Sequence, residues 1–484
     1  MLIERIYTPG LAQVAYLVAD EAARQVAVID PRRDINAYIS WAEDHNMEIA
    51  AILETHVHAD FVSGAPDLAS ATGAPVYASR LGGEEFPHEP LDDGDEIAIG
   101  TVVLRALWTP GHTPEHMSFL AIDPAHSNEP VAIFTGDALF VGEVGRPDLL
   151  GEKETQRLAE HLFETVSDRF SNLPDALVVY PGHTAGSSCG KKIGDAPTTT
   201  IGQERESNYA FQIDEKEAFI NTVLEGMPKP PTYYPVLKKV NKAGATPLTA
   251  LPTGDPFSPQ EVSERQEAGA LIVDARSAES FAEGHIPGAV FAGLGPDFTT
   301  WMGWIAPFDQ PVILILDDLD GTVQFEEART ELHRIGIDGV AGYLEGGMAA
   351  WLSEDREVET LPRMTVDDIA HYMEAAGDRL TVLDVRSKEE WNDGHISQAV
   401  HQYAGDIVQG DELAVNGDSP LALICGSGYR STVVSSILQD RGYRNLINIA
   451  GGMEAWNDAS LPTTTDEKQH ADHSQRVLSA TKGN

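Results

Sequence analysis

Cysteine is almost absent from this chain: 484 residues contain two, Cys189 and Cys425. Two thiols so far apart exclude a disulfide framework, and their scarcity fits a reducing, cytoplasmic compartment. Basic residues are also few. Lys and Arg number 33 against 76 Asp and Glu, a formal net charge of −43 spread along the chain. A field of that sign repels nucleic acid and anionic membranes, so neither is expected as a partner. It also strains the compact state unless salt screens it, because the Debye length shrinks to about 3 Å at 1 M. The composition therefore points to a halophilic protein. No apolar run reaches the ~18 residues that span a bilayer. The N-terminal stretch Met1 to Asp20 breaks at Pro9-Gly10 into a strand-like alternation, not an apolar leader. A soluble protein is expected.

What is present is length and repetition. At roughly 150 residues per domain the chain suggests about three domains. Leu271-Ile-Val-Asp-Ala-Arg276 with Gly284-His-Ile-Pro-Gly-Ala-Val290 recurs as Val382-Leu-Asp-Val-Arg386 with Gly394-His-Ile396. Asp274, Arg276, Gly284 and His285 each find a counterpart 110 residues later, and each copy closes on Gly-Gly-Met-x-Ala-Trp, ending at Trp351 and Trp456. Short apolar strands (Val312 to Leu316, Leu421 to Ile424) precede helical patterns (Phe325 to Ile335, Thr432 to Arg441), so two α/β units with parallel sheets are expected. Pro-rich stretches around Pro228–Pro231, Pro247–Pro259 and Pro362 mark boundaries. The expected division is 1–245, 255–360, 363–465 and a polar, frayed tail 466–484.

In the first 240 residues, strand-like runs are joined by His-, Asp- and Gly-rich loops, and a helix is expected over Thr155 to Ser167. Four segments stand out: Thr55-His-Val-His-Ala-Asp60, Pro110-Gly-His-Thr113, Thr135-Gly-Asp137 and Pro181-Gly-His-Thr184. Each places imidazole or carboxylate just after an apolar strand, where such groups can converge on one divalent ion. This set resembles the metallo-β-lactamase superfamily, whose pattern is H-x-H-x-D-H, then His, Asp and His. The resemblance covers roughly residues 1 to 240, with one departure: Phe61 stands where the family carries a histidine for a second ion.

The resemblance implies that His56, His112 and Asp137 hold one metal as two imidazoles and a carboxylate, a set suited to Fe(II) with open positions. His58, Asp60 and His183 then orient ligands or hold water. Phe61, with Gly136-Asp-Ala-Leu-Phe140 and Gly142-x-x-Gly-Arg-Pro-Asp148, is similar to the persulfide dioxygenase branch, which oxidises a thiol persulfide with O₂ to sulfite. There Arg146 would order the loop beside Asp137 or meet an anionic substrate. Cys189, six residues after His183, reads either as a small buried hydrophobe or as a thiol at the mouth of the metal site. The rival within the fold is a zinc thioester hydrolase like glyoxalase II, against which Phe61 counts.

Cys425-Gly-Ser-Gly-Tyr-Arg430 follows an apolar strand and precedes a helix. Backbone N–H groups of Gly426, Ser427, Gly428 and Tyr429, the helix N-terminus and the Arg430 cation would cradle a persulfide on Cys425 and make it reactive. With Asp384, Arg386 and His395 upstream, the set resembles the rhodanese family, in which the cysteine carries a sulfane sulfur; those three residues would support the loop. The first copy has the acidic run 317–321 where the cysteine would stand and is expected to be inactive. The whole is therefore expected to be a multidomain α/β and α+β protein, a metallo-β-lactamase αββα sandwich followed by two rhodanese-like α/β domains. The expected function is an iron-dependent persulfide dioxygenase with sulfurtransferase activity. Its implied partners are a low-molecular-weight thiol persulfide, O₂ and sulfite or thiosulfate. The family commonly forms homo-oligomers, but no seam in this sequence identifies an interface. The competing class is a non-catalytic sulfur-binding scaffold with a structural metal.

Overall fold

The computed structural model describes every residue except Pro228, 318–321, 377–378, 416–418 and 466–484. Most of the acidic run 317–321 and the whole polar tail therefore lie outside the described residues. The chain forms two compact units, one of Met1–Leu251 with Thr330–Asp338 and the other of Pro252–Arg329 with the residues from Gly339 onward.

The first unit contains two six-stranded sheets. One runs β1 (Leu2–Thr8), β2 (Gln13–Asp20), β3 (Gln25–Ile29), β4 (Glu48–Leu53), β5 (Val76–Ser79) and β6 (Glu89–Leu91) in that order. The other lies in reverse order, with β7 (Glu96–Ile99), β8 (Val102–Trp108), β9 (Met117–Ile122), β10 (Pro130–Gly136), β11 (Val178–Pro181) and β12 (Thr199–Thr200). Both are mixed: β3 pairs in parallel with β4, and β10 with β11.

Strand β2 is buried on both faces, and its alternation divides two cores. Val14, Tyr16 and Val18 meet Leu104, Phe119 and Phe134 between the sheets, while Ala15, Leu17 and Ala19 pack with Tyr38 and Leu68 of helices Asn36–Asp44 and Ala65–Thr72. On the far side Ile133 and Val179 face Ala159, Leu162, Phe219 and Ile220. A period of two that is apolar at every position requires cover on both faces, hence helix, sheet, sheet, helix. The helix expected over Thr155 to Ser167 runs Glu152–Glu164 and widens into a π-type turn over Thr165–Arg169. Glu152 and Glu154 favour its N-terminal turn, which explains the earlier start.

The second unit carries the two repeat copies as parallel five-stranded sheets. The first orders β13 (Asp255–Phe257), β17 (Val340–Leu344), β16 (Val312–Ile315), β14 (Leu271–Asp274) and β15 (Val290–Phe291). The second orders β18 (Arg363–Met364), β22 (Leu446–Ile449), β21 (Leu421–Ile424), β19 (Thr381–Asp384) and β20 (Ala399–His401). The repeat motif does the same work twice. Arg276 grips Asp274 and Gly284 O, and Arg386 grips Asp384 and Gly394 O, with both carbonyl contacts at 2.8 Å. His285 stacks on Phe281 and His395 on Trp391, centroids 3.7 and 3.4 Å apart. The copies also share one core, in which Phe291, Trp301 and Trp304 of the first meet Cys425 and Val433 of the second. Among the described residues no helix is long and apolar enough to cross a membrane.

Candidate metal centre and cysteine loop

The metal-type side chains sit on loops that begin at strand ends. Beyond β4, Thr55 and His56 are tied to Asp30, the residue after β3, which adopts φ +50°. The Asp30 carboxylate accepts from Thr55 N–H (2.7 Å) and from Thr55 Oγ1 (2.8 Å). Thr55 Oγ1 then stands 2.9 Å from His56 Nδ1. Its one proton being given to Asp30, the hydroxyl accepts from His56 Nδ1–H, which leaves Nε2 as the basic atom. His112, on the loop between β8 and β9, donates Nδ1–H to Arg146 O (3.0 Å), again leaving Nε2. Asp137 follows β10; its N–H donates to His116 Nε2 (3.1 Å) and its Oδ1 accepts from His183 Nδ1–H (2.7 Å).

The remaining donor atoms converge. Asp137 Oδ2 lies 3.6 Å from His112 Nε2 and 3.9 Å from His56 Nε2. All three residues are buried, and among the described residues His56 Nε2 and Asp137 Oδ2 have no hydrogen-bond partner. Burial pushes both imidazoles well below the usual histidine range, so they are neutral. Two neutral imidazole nitrogens and a carboxylate oxygen gathered in one buried cluster, with His56 Nε2 and Asp137 Oδ2 left unpartnered there, fit a divalent metal ion and would be costly without one. Gly145 allows this closeness, since a Cβ there would fall 1.8 Å from Asp137 O.

The other expected residues surround this set. His58 turns away, its Nε2 3.2 Å from both Asp30 and Glu54, and these carboxylates hold it charged against the opposing effect of burial. His183 bridges two carboxylates, with Nε2 2.7 Å from Asp60 Oδ2; against burial, Asp137 and Asp60 raise it to about 10. Cys189 is buried beside Asp60 and His183, its thiol pushed well up by burial and by the Asp60 and Asp137 charges. Arg146 is fully buried, clamps Asp148 at 2.7 and 2.8 Å and donates to Ser188 O, so it orders the loop that receives His112. Phe61 is fully buried with its ring 4.3 Å from that of His58.

Three contributors were missed in the sequence. His116, lowered to about 3 by burial, receives the Asp137 N–H as a neutral acceptor. Its spacing of four from His112 was the available signal. Asp30 follows an apolar strand, as His56, His112 and Asp137 do. Asn241 donates to His58 O (2.8 Å) and Phe61 O (2.7 Å) from a helix that no motif marks.

In the second unit, Cys425 is fully buried at the end of β21. Gly428, at φ +103°, donates its N–H to Cys425 Sγ (3.1 Å), and Ser431 Oγ stands 3.4 Å from the sulfur. Arg430 does not offer a free cation. It forms a double contact with Glu390 at 2.6 Å each, and Glu390 also closes the capping box of helix Lys388–Asp393. Tyr429 leaves the loop toward the first copy, donating Oη–H to Gly293 O (2.9 Å) and packing on Phe291.

An αββα sandwich with this donor set, joined to two parallel α/β domains of which one bears a thiol loop, defines a metal-site protein with two appended α/β domains. The metallo-beta-lactamase superfamily matches residues 8–183, and the rhodanese-like domain matches 258–354 and 365–459. The chain is 31% identical to the persulfide dioxygenase ETHE1, mitochondrial, of Bos taurus, over 48% of this chain and 84% of that protein. It is 28% identical to the probable polyketide biosynthesis zinc-dependent hydrolase BaeB of Bacillus velezensis, over 45% of this chain and 89% of that one. Among solved structures, a metallo-beta-lactamase from Staphylococcus aureus is 33% identical, with TM-score 0.64, spanning 71% of this chain and 99% of its own. The chain belongs to the metallo-beta-lactamase superfamily, in an architecture that adds two C-terminal rhodanese-like domains and has persulfide dioxygenase homologues.

Proposed function

We propose that this protein oxidises a thiol persulfide with O₂ at one iron, and that Cys425 carries sulfane sulfur to or from that chemistry. The observation that carries the reading is a donor set of His56, His112 and Asp137, with Phe61, not an imidazole, packed on His58, whose ring neighbours that of His56. Iron, when bound, supplies the redox-active centre at which O₂ and the persulfide react. The balanced reaction takes R–S–SH, O₂ and H₂O to R–SH, sulfite and two protons, oxidising the outer sulfur and reducing O₂. Thr55 and the Arg146 carbonyl fix the two imidazole tautomers, His116 and His183 hold the Asp137 carboxylate, and Phe61 keeps the neighbouring volume apolar. Cys425 exchanges sulfur by thiolate attack: one S–S bond forms as another breaks, with no net oxidation.

The functional domains are taken as 1–245, 255–360 and 363–465. The compartment is a salt-rich, reducing cytoplasm. The kinship with zinc-dependent hydrolases keeps thioester hydrolysis as the second reading. Metal analysis with oxygen-electrode measurements separates them: iron near one per chain and O₂ uptake only when a persulfide is supplied support the proposal. Bound zinc pairs with thioester turnover and no O₂ uptake would overturn it.

A further inference from the structure

Helix Tyr234–Ala243 presents one face to the metal loop. At about 100° per residue, Tyr234, Lys238 and Asn241 share that face. Asn241 uses it to hold His58 O and Phe61 O, and accepts from Ser63 N–H (2.9 Å). Tyr234 is buried on it, in the electrostatic neighbourhood of Cys189 and Arg146. Lys238 stands between these two anchors. Its titratable neighbours are Glu115 and the Cys189 thiol, and its field reaches His56 and His112. Glu115 is itself engaged, accepting from Val57 N–H at 3.1 Å.

Lys238 makes neither a hydrogen bond nor an ion pair among the described residues. Other lysines of this unit behave differently: Lys191 donates to Thr222 O and Glu225 O, and Lys216 pairs with Glu164. Burial pushes the Lys238 ammonium downward. A largely covered cation with no partner is costly. In a chain of net charge −43, where carboxylates outnumber cations more than twofold, an unpaired ammonium beside a metal-type cluster is conspicuous. Such a group suits an anion that arrives with the substrate.

We propose that Lys238 determines carrier specificity, its ammonium receiving a carboxylate on the thiol whose persulfide is oxidised. This rests on the persulfide-oxidising function proposed above. With His56, His112 and Asp137 gathered around the reacting end, Lys238 supplies a second point of attachment on the same molecule. Two anchors fix orientation as one cannot.

Two short persulfides of similar length test it, one derived from 3-mercaptopropionate and ending in a carboxylate, the other from cysteamine and ending in an ammonium. In O₂ uptake the wild type should favour the carboxylate compound by about tenfold or more in kcat/KM, the scale of one charge-assisted hydrogen bond. Lys238→Gln should erase that preference through KM, Lys238→Arg should retain it, and Lys238→Glu should invert it, with metal content equal in all four proteins. Anaerobic calorimetry with 3-mercaptopropionate itself gives a readout independent of turnover: affinity should fall about tenfold in Lys238→Gln. Equal use of both compounds by the wild type, or the same loss on both in Lys238→Gln, overturns the inference while leaving persulfide oxidation standing. If no persulfide drives O₂ uptake, the proposed function fails, and calorimetric binding that ignores residue 238 removes this inference as well.

Discussion

Thr55 Oγ1 stands 2.9 Å from His56 Nδ1 while giving its own proton to Asp30, so a single hydroxyl decides which nitrogen of His56 is left to bind. Thr55→Val keeps the side chain's volume and removes that control. Metal affinity should drop about 10- to 100-fold, the usual cost of losing a group that orients a ligand, and Thr55→Ser should restore it. Competition with a chelator measures this; unchanged affinity in the valine variant would refute the relay.

Phe61→His reintroduces an imidazole next to His58 and Asp60. Elemental analysis of the purified variant should find more metal per chain than in the wild type, and thioester hydrolysis should appear or rise. A stoichiometry that stays where it was would mean Phe61 does not govern the number of ions.

Cys425→Ser should abolish sulfane transfer from a persulfide to cyanide while O₂ uptake with a low-molecular-weight persulfide continues. Tyr429→Phe removes only the contact with Gly293 O. A net hydrogen bond contributes about 1 kcal/mol to stability, so thermal unfolding should move down by about 2–4 °C while sulfane transfer, whose sulfur this hydroxyl does not touch, continues. Loss of both activities in the serine variant would contradict separate sites.

The Glu390 carboxylate is held at about 2 instead of 4.5; burial opposes this, and the hydrogen bonds and charge of Arg430 overcome it. A depressed folded-state value stabilises above the unfolded one and is lost as acid protonates the group. The stability gap between wild type and Glu390→Gln should therefore be constant from pH 6 to 8 and close between about 4.5 and 2. Urea titrations across that range check it, and a gap that widened in acid would reverse the assignment.

The net charge of −43 predicts that thermal unfolding moves upward in molar KCl, where the Debye length is about 3 Å. Equal midpoints at low and molar salt would dismiss the halophilic reading.

Much of the fold was legible because it rests on local pattern. The 110-residue repeat and the doubly apolar strand β2 each dictate layers regardless of distant neighbours. The gathering of His56, His112 and Asp137 was legible for the same reason, as polar residues that follow apolar strands. What escaped depends on partners far along the chain. His58 turns from the His56 cluster because Asp30, 28 residues earlier, meets it. Arg430 is neutralised by Glu390, 40 residues away. Nothing in the local sequence announces either meeting. Lys238 sits in a helix, Tyr234–Ala243, that no motif marks.

The complete burial of Cys425 restricts who can react with it. A sulfur atom with no exposed surface crowds out bulky reagents, so a slender approach is required of any partner. A terminal, unbranched sulfur satisfies that approach, whereas a disulfide flanked on both sides by carbon does not. Once loaded, the outer sulfur projects about 2 Å further, one S–S bond length, so the charged form meets partners that the empty thiol cannot touch. The loop therefore admits by shape before chemistry begins, and it guards its resting state against bulky oxidants and alkylating agents.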